Sequence, residues 1–263
     1  MTSLGETLAG LTGAAGRFDA APAENWLQGR TVFGGLIGAL ALAAARRNTG
    51  ALPPLRSAQV SFVGPASGAL SLYPTLLRQG RSASFASVDI VTGDALSARV
   101  LLTFASDRPS RHSFEDMPAP NAPPPAAGVS LFDQPGAPRS SRNFEGRLVG
   151  GGIPFSGGPR PDLLLWLRHA DAATTPDQHE AALLALADAS PPAVFPIFTT
   201  PAPISTVNWT VDILGPVPAP DDWLLAHTSS PRIAAGYSLQ ITRLWAASGT
   251  PVLEARQLVA LYD

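Results

Sequence analysis

The sequence contains no cysteine and no lysine, so all 18 of its basic residues are arginines. Without cysteine there is no thiolate nucleophile and no disulfide; without lysine there is no Schiff base and no phosphate-loop lysine. Charged residues are scarce as well, at 14% against 45% hydrophobic, a balance that suits a compact globule and not a disordered chain. A formal net charge of -2 offers no general basic surface, so neither nucleic acid nor an anionic membrane is an expected partner. Long apolar runs are missing too. The longest, Val32 to Ala45, is bracketed by Arg30, Arg46 and Arg47 and is too short and too rich in Gly and Ala to span a bilayer. No charged-then-apolar leader precedes it, which makes a cytoplasmic location the default expectation.

What is present fits two units of about 100 residues each plus a connector. Residues 32 to 48 (VFGGLIGALALAAARRN) read as a helix apolar on nearly every side, hence buried, with glycines in its first two turns and arginines in its last. Close helix-on-sheet packing is the ordinary use of such glycines, and a ligand near the unpaired N–H groups of the helix start is the other. Ala58 to Val63, Leu70 to Leu77, Ser84 to Val91 and Ala98 to Phe104 then read as strands. From Ser106 to about Pro138 the chain is Pro-rich and loses periodicity, as a linker does. Afterwards the programme returns: strands at Arg142 to Val149 and Leu163 to Arg168, a helix at Pro176 to Ala189, and a closing meander.

The letters themselves repeat. Val60-Ser61-Phe62-Val63-Gly64-Pro65 aligns with Val211-Asp212-Ile213-Leu214-Gly215-Pro216 at an offset of 151, and Ala98 to Leu101 aligns with Ala255 to Leu258 at an offset of 157. Two copies of one helix-plus-sheet unit, an α+β architecture, follow from the shared order. A position that is apolar in one copy and polar in the other is not dictated by the fold. On these offsets Asp188 ends an apolar helical run, Thr206 falls where the first copy has Leu55, and Gln257 falls where it has Val100. Asp188 also stands at the helix end that the macrodipole makes unfavourable for a carboxylate. Taken singly, each has an ordinary explanation: a solvated helix-end acid, a β-branched strand residue, an outward-facing amide.

The same residues carry a resemblance to the type II acyl-CoA thioesterases and related thioesterase-like proteins over nearly the whole chain. It lies in Val32-Phe33-Gly34-Gly35, Phe62 to Pro65, Gly80-Arg81-Ser82, Leu163 to Arg168, the helix ending at Asp188, Ser205-Thr206-Val207-Asn208-Trp209, Trp223-Leu224-Leu225 and Gln257. The resemblance implies a double hotdog fold: an N-terminal hotdog over 1–108, a linker over 109–139 and a C-terminal hotdog over 140–263 that carries the catalytic residues. It further implies that Asp188, Thr206 and Gln257 form the catalytic trio. The unpaired N–H groups of the first helix start make Gly34 and Gly35 candidates for the oxyanion, and Trp209, where the family usually has His, is expected to reshape the acyl end of the site. Two departures stand out. The family's Gly-Gly-Gln reads Gly34-Gly35-Leu36, and its Asp-His after the catalytic Thr reads Asn208-Trp209.

The implied reaction is hydrolysis of acyl-CoA to a free acid and CoA, with Asp188 as general base on a water oriented by Thr206 and Gln257 and with no metal or cofactor. The rival readings are an acyl-CoA-binding hotdog protein without turnover and a hotdog enoyl-CoA hydratase. The hydratase needs an Asp and a His five positions later, a spacing that Asp107 and His112 have, though at the start of the Pro-rich connector. A serine hydrolase is disfavoured because there is no Gly-x-Ser-x-Gly elbow. A homo-oligomer of double-hotdog subunits stays open, since the fusion already supplies the pairing that single hotdogs gain by dimerising.

Overall fold

A computed structural model describes residues 1–262 apart from Pro135 and Ala172. A short capped helix, α1 (Leu4–Ala9), leads into β1 (Thr12–Ala14), β2 (Arg17–Ala20) and a small separate hairpin of β3 (Leu27–Gln28) and β4 (Thr31–Val32). Helix α2 (Gly34–Thr49) follows, then β5 (Leu55–Phe62), β6 (Leu70–Gln79), β7 (Ala83–Thr92) and β8 (Ala95–Ala105). Among its described residues, the Pro-rich connector carries only a single helical turn at Pro125–Ala127 and the two-residue β9 (Val129–Ser130). The second half has β10 (Phe144–Gly151), β11 (Asp162–His169), α3 (His179–Ala187), β12 (Ile204–Ile213), β13 (Leu224–Ala234), β14 (Tyr237–Ala246) and β15 (Pro251–Leu261). The strand expected from Arg142 begins two residues later, because Arg142 lies in a 3-10 turn. The helix expected from Pro176 opens with a 3-10 turn before α3.

The strands alternate buried and open side chains, as one-sided sheets do: β7 turns Ser84, Ala86, Val88 and Ile90 inward. Thirteen strands form one sheet in the order β1-β2-β6-β7-β8-β5-β12-β15-β14-β13-β11-β10-β9. The two halves meet at its centre, where β5 and β12 pair antiparallel. That seam is symmetric. Val60 pairs with Trp209 and Ala58 with Val211, and the offset of 151 exchanges one pair for the other. Both halves even interrupt their ladders at the same place, between Leu55 and Ser57 in one and between Thr206 and Asn208 in the other. This is a double hotdog, with one main core running through both halves and a small second cluster at Val194, Val259 and Leu261.

Helix α2 buries ten of its sixteen residues and packs on β6, β7 and β8. In α3, Ala181 to Ala187 are all buried, so no face of that helix is left for water. The two helices lie antiparallel against each other. Gly35 stands against the Ala185 carbonyl, Gly38 against Leu184, and Arg46 at the far end of α2 pairs with Glu180 near the start of α3. A Cβ on Gly35 would come within 2.6 Å of the Ala185 backbone oxygen, and one on Gly38 within 3.2 Å of the Trp209 ring. The early glycines of α2 therefore admit a second helix as well as the sheet, which is more than the helix-on-sheet packing expected of them.

Candidate active site

Asp188 occupies the C-cap position of α3, where the last carbonyls of the helix face it unfavourably. The other half of the molecule explains its presence. Helix α2 begins at Gly34 and its N-cap residue, Phe33, supplies no side-chain cap, so the Asp188 carboxylate meets its first turn and accepts from the Gly35 N–H. A Cβ on Gly34 would lie 2.7 Å from Oδ2 of Asp188 and 3.1 Å from the ring of Phe62, so only glycine leaves the acid its place. One helix start thus receives a carboxylate delivered by the end of another, 154 residues later in the chain (Gly34 to Asp188).

Gln257 on β15 donates from Nε2 to Oδ1 of Asp188 at 2.6 Å, and Thr206 on β12 donates its hydroxyl to Oε1 of Gln257 at 3.4 Å. Trp209 stands directly across the ladder from Gln257 on the same face of the sheet. Burial pushes the Asp188 carboxyl up to about 7; the Gln257 amide and the Gly35 backbone N–H pull the other way and are outweighed. Asp188 as a whole residue is half-buried. A carboxyl that changes charge near neutrality and is held by an amide is a suitable general base.

The register corrects one expectation. Phe104 pairs with Leu55 and Val259 with Thr206, so β8 and β15 correspond at an offset of 155, not 157. The counterpart of Gln257 is Leu102, not Val100, because strand periodicity allows a slip of two without changing face. Leu102 is fully buried, so the contrast of polar against apolar survives the correction. Trp209 takes the place of Ala58, is 1% exposed, and encloses its Nε1 without a hydrogen-bond partner among the described residues.

The equivalent end of the first half holds a different arrangement. A groove of about 810 Å³ there is lined by Leu55, Ile213, Arg46 and Glu180, among others. Leu55 stands in place of Thr206, and Glu180 accepts from the Leu55 N–H at 2.9 Å while paired with Arg46. The Glu180 carboxylate is thus already engaged. Asp107 and His112 are both exposed, and Asp107 is engaged by Arg56, which removes the pair expected of a hydratase. Among the described residues no group of acidic, His or Cys side chains could hold a metal, and no helix is long and apolar enough to cross a membrane.

The residue missed by sequence reasoning is Gln240. It is buried on β14 directly across from Gln257, where the first half has Ala86 across from Leu102. The same comparison of polar against apolar would have found it had the register been in hand.

Comparison with known proteins gives a consistent picture. A family model described as the acyl-CoA thioesterase N-terminal domain matches residues 22–105, and one described as the acyl-CoA thioesterase C-terminal domain matches residues 114–261. No curated protein matches the sequence. Among solved structures, a protein of unknown function with a hot dog fold from Alicyclobacillus acidocaldarius is 23% identical, with a TM-score of 0.86 over 98% of this chain and 97% of that one. The tesB protein of Mycobacterium avium subs paratuberculosis is 21% identical, with a TM-score of 0.80 over 99% and 100%. The acyl-CoA thioesterase II TesB2 of Mycobacterium marinum is 19% identical, with a TM-score of 0.78 over 98% and 97%. At these identities the structures speak to the fold alone.

Proposed function

The chain belongs to the acyl-CoA thioesterase family, and from that premise we propose that it hydrolyses acyl-CoA thioesters to a carboxylic acid and CoA at a site formed by Asp188, Thr206 and Gln257. The observation that carries the reading is the chain of contacts from Thr206 through Gln257 to an Asp188 carboxyl that titrates near neutrality. Ionised Asp188 takes a proton from water as the oxygen attacks the thioester carbonyl. The tetrahedral intermediate then collapses, expelling the thiolate, which recovers the proton from Asp188. Gln257 spends one N–H on Asp188 and has a second for the water, and the Thr206 hydroxyl oxygen keeps lone pairs to accept from it. The Gly35 N–H is engaged by Asp188, which leaves the Gly34 N–H, beside it in the uncapped first turn of α2, as the donor suited to the oxyanion. Trp209, packed on Gly38 beside Gln257, bounds the space left for the acyl group.

The test is a panel of acyl-CoA esters of graded length, with detection of released thiol and direct measurement of binding. Thiol release from at least one ester that falls about 10²-fold or more in Asp188→Asn is the expected result. Binding without release in the wild type would make the chain an acyl-CoA-binding protein and overturn the reading.

A further inference from the structure

The reaction above leaves one buried amide beside it unassigned. Gln240 is 4% exposed, and its Oε1 accepts from the Ala193 backbone N–H at 2.8 Å while its Nε2 donates to Oε1 of Gln257 at 3.4 Å. A backbone N–H can only donate, so Ala193 dictates which end of the Gln240 amide faces it. Gln240 must then turn its NH2 toward Gln257, Gln257 must answer with its carbonyl oxygen, and the Gln257 NH2 is left for the carboxylate. The polarity of the whole chain of contacts starts from one main-chain group. Ala193 also closes a loop, because it lies five residues after Asp188: the segment between them is tied to β15 through Asp188 and to β14 through Ala193.

We propose that Gln240 is a positioning residue for Asp188, holding the Gln257 amide in the orientation that donates to the carboxylate and fastening the segment from Asp188 to Ala193 onto the sheet. The proposal rests on the reading of Asp188 as the base. If Gln240 is lost, Oε1 of Gln257 keeps only the Thr206 hydroxyl at 3.4 Å, a group that can also accept. The amide is then free to turn its carbonyl toward Asp188, setting acceptor against acceptor and favouring the protonated acid. The groups that face Asp188 are Gln257 from β15, Gly34 and Gly35 from α2 and, beside Gly34, Phe62 from β5; none of them titrates. A change in its titration on replacing Gln240 is therefore transmitted through Gln257 or through the tethered segment.

The experiment follows the Asp188 carboxyl by ¹³C NMR in the full-length protein, assigned by its loss in Asp188→Asn, together with the pH dependence of kcat/KM on the best ester. Gln240→Met should move the titration and the acidic limb up by about half to one pH unit, since it removes the group that aligns a stabilising hydrogen bond. The same variant should lower kcat about tenfold while KM changes less than about twofold. In a Gln257→Leu background both effects should be smaller, leaving only the part carried by the tethered segment. An unmoved Asp188 titration in Gln240→Met, or an undiminished further loss in the Gln257→Leu background, overturns the proposal. Should Gln240→Met fail to fold, the wild-type side-chain amide signals decide: those of Gln240 and Gln257 should both follow the Asp188 titration, and a Gln240 signal that ignores it overturns the idea. A wild type that releases no thiol would sink the hydrolase reading, while the NMR result still judges Gln240.

Discussion

Replacing Asp188 by Asn should separate activity from stability in opposite directions. The carboxyl is held near 7 in the fold against 3.8 when free, so between those values the folded state binds the proton that the unfolded state has released. Stability from this group is present below about pH 4 and is lost as pH rises toward 7. A full shift of this size is worth about 4 kcal/mol, of which about 3 falls above pH 4.5. Asn cannot ionise. It also presents an NH2 in place of an acceptor, either to Gln257 or to the first turn of α2, a pH-independent cost of about 1 kcal/mol. The difference in stability between Asp188→Asn and wild type should therefore grow by about 3 kcal/mol between pH 4.5 and 8 and then level off. For a chain of this length that is a relative gain of about 6–12 °C in Tm. Thioester hydrolysis should meanwhile fall by about 10²- to 10⁴-fold, and wild-type kcat/KM should lose tenfold per pH unit below about 7. Thermal melts across pH and thiol-release rates on the same samples make the check. Parallel melting curves for the two proteins, or a fully active Asn variant, would refute the reasoning.

Other changes test the surroundings. Gly34→Ala gains helix propensity of about 1 kcal/mol but drives a methyl to 2.7 Å from Oδ2 of Asp188, so turnover should drop at least about tenfold in a protein that still folds. Gly35→Ala instead meets the Ala185 backbone oxygen at 2.6 Å, which cannot step aside, and should lower Tm with or without an effect on turnover. Trp209→His empties space beside Gln257 and should cost about 2–4 kcal/mol while shifting the ester panel toward bulkier acyl groups; an unchanged substrate profile would count against Trp209 as a wall of the site. Burial lowers His169 to about 4, with Nε2 fixed on the Ala182 carbonyl at 2.9 Å. The unfolded chain protonates first as pH falls, so this group removes up to about 3 kcal/mol between pH 6.5 and 4. Acid denaturation of His169→Gln should be correspondingly shallower, and an unchanged slope would refute the assignment.

Much of this molecule is legible in its letters because secondary structure and repeats are local or periodic. The buried helix, the strand alternation and the match of Val60 to Pro65 with Val211 to Pro216 need only neighbouring residues to be read, and the β5–β12 seam carries that offset unchanged. Asp188, Thr206 and Gln257 stood out because they break an apolar pattern that the other half keeps. The register of the last strand was not legible: a slip of two leaves every side chain on the same face, so Val100 and Leu102 serve the pattern equally and only hydrogen-bonded pairing separates them. Gln240 stayed hidden for the same reason, since its meaning lies in facing Gln257 across a ladder. Tertiary structure alone decided that Asp188, unfavourable at the end of its own helix, is set at the uncapped start of α2, where Gly34 leaves it room. A dipole and its complementary charge that lie 154 residues apart, Gly34 to Asp188, are joined by packing of the halves and by nothing that sequence neighbours encode.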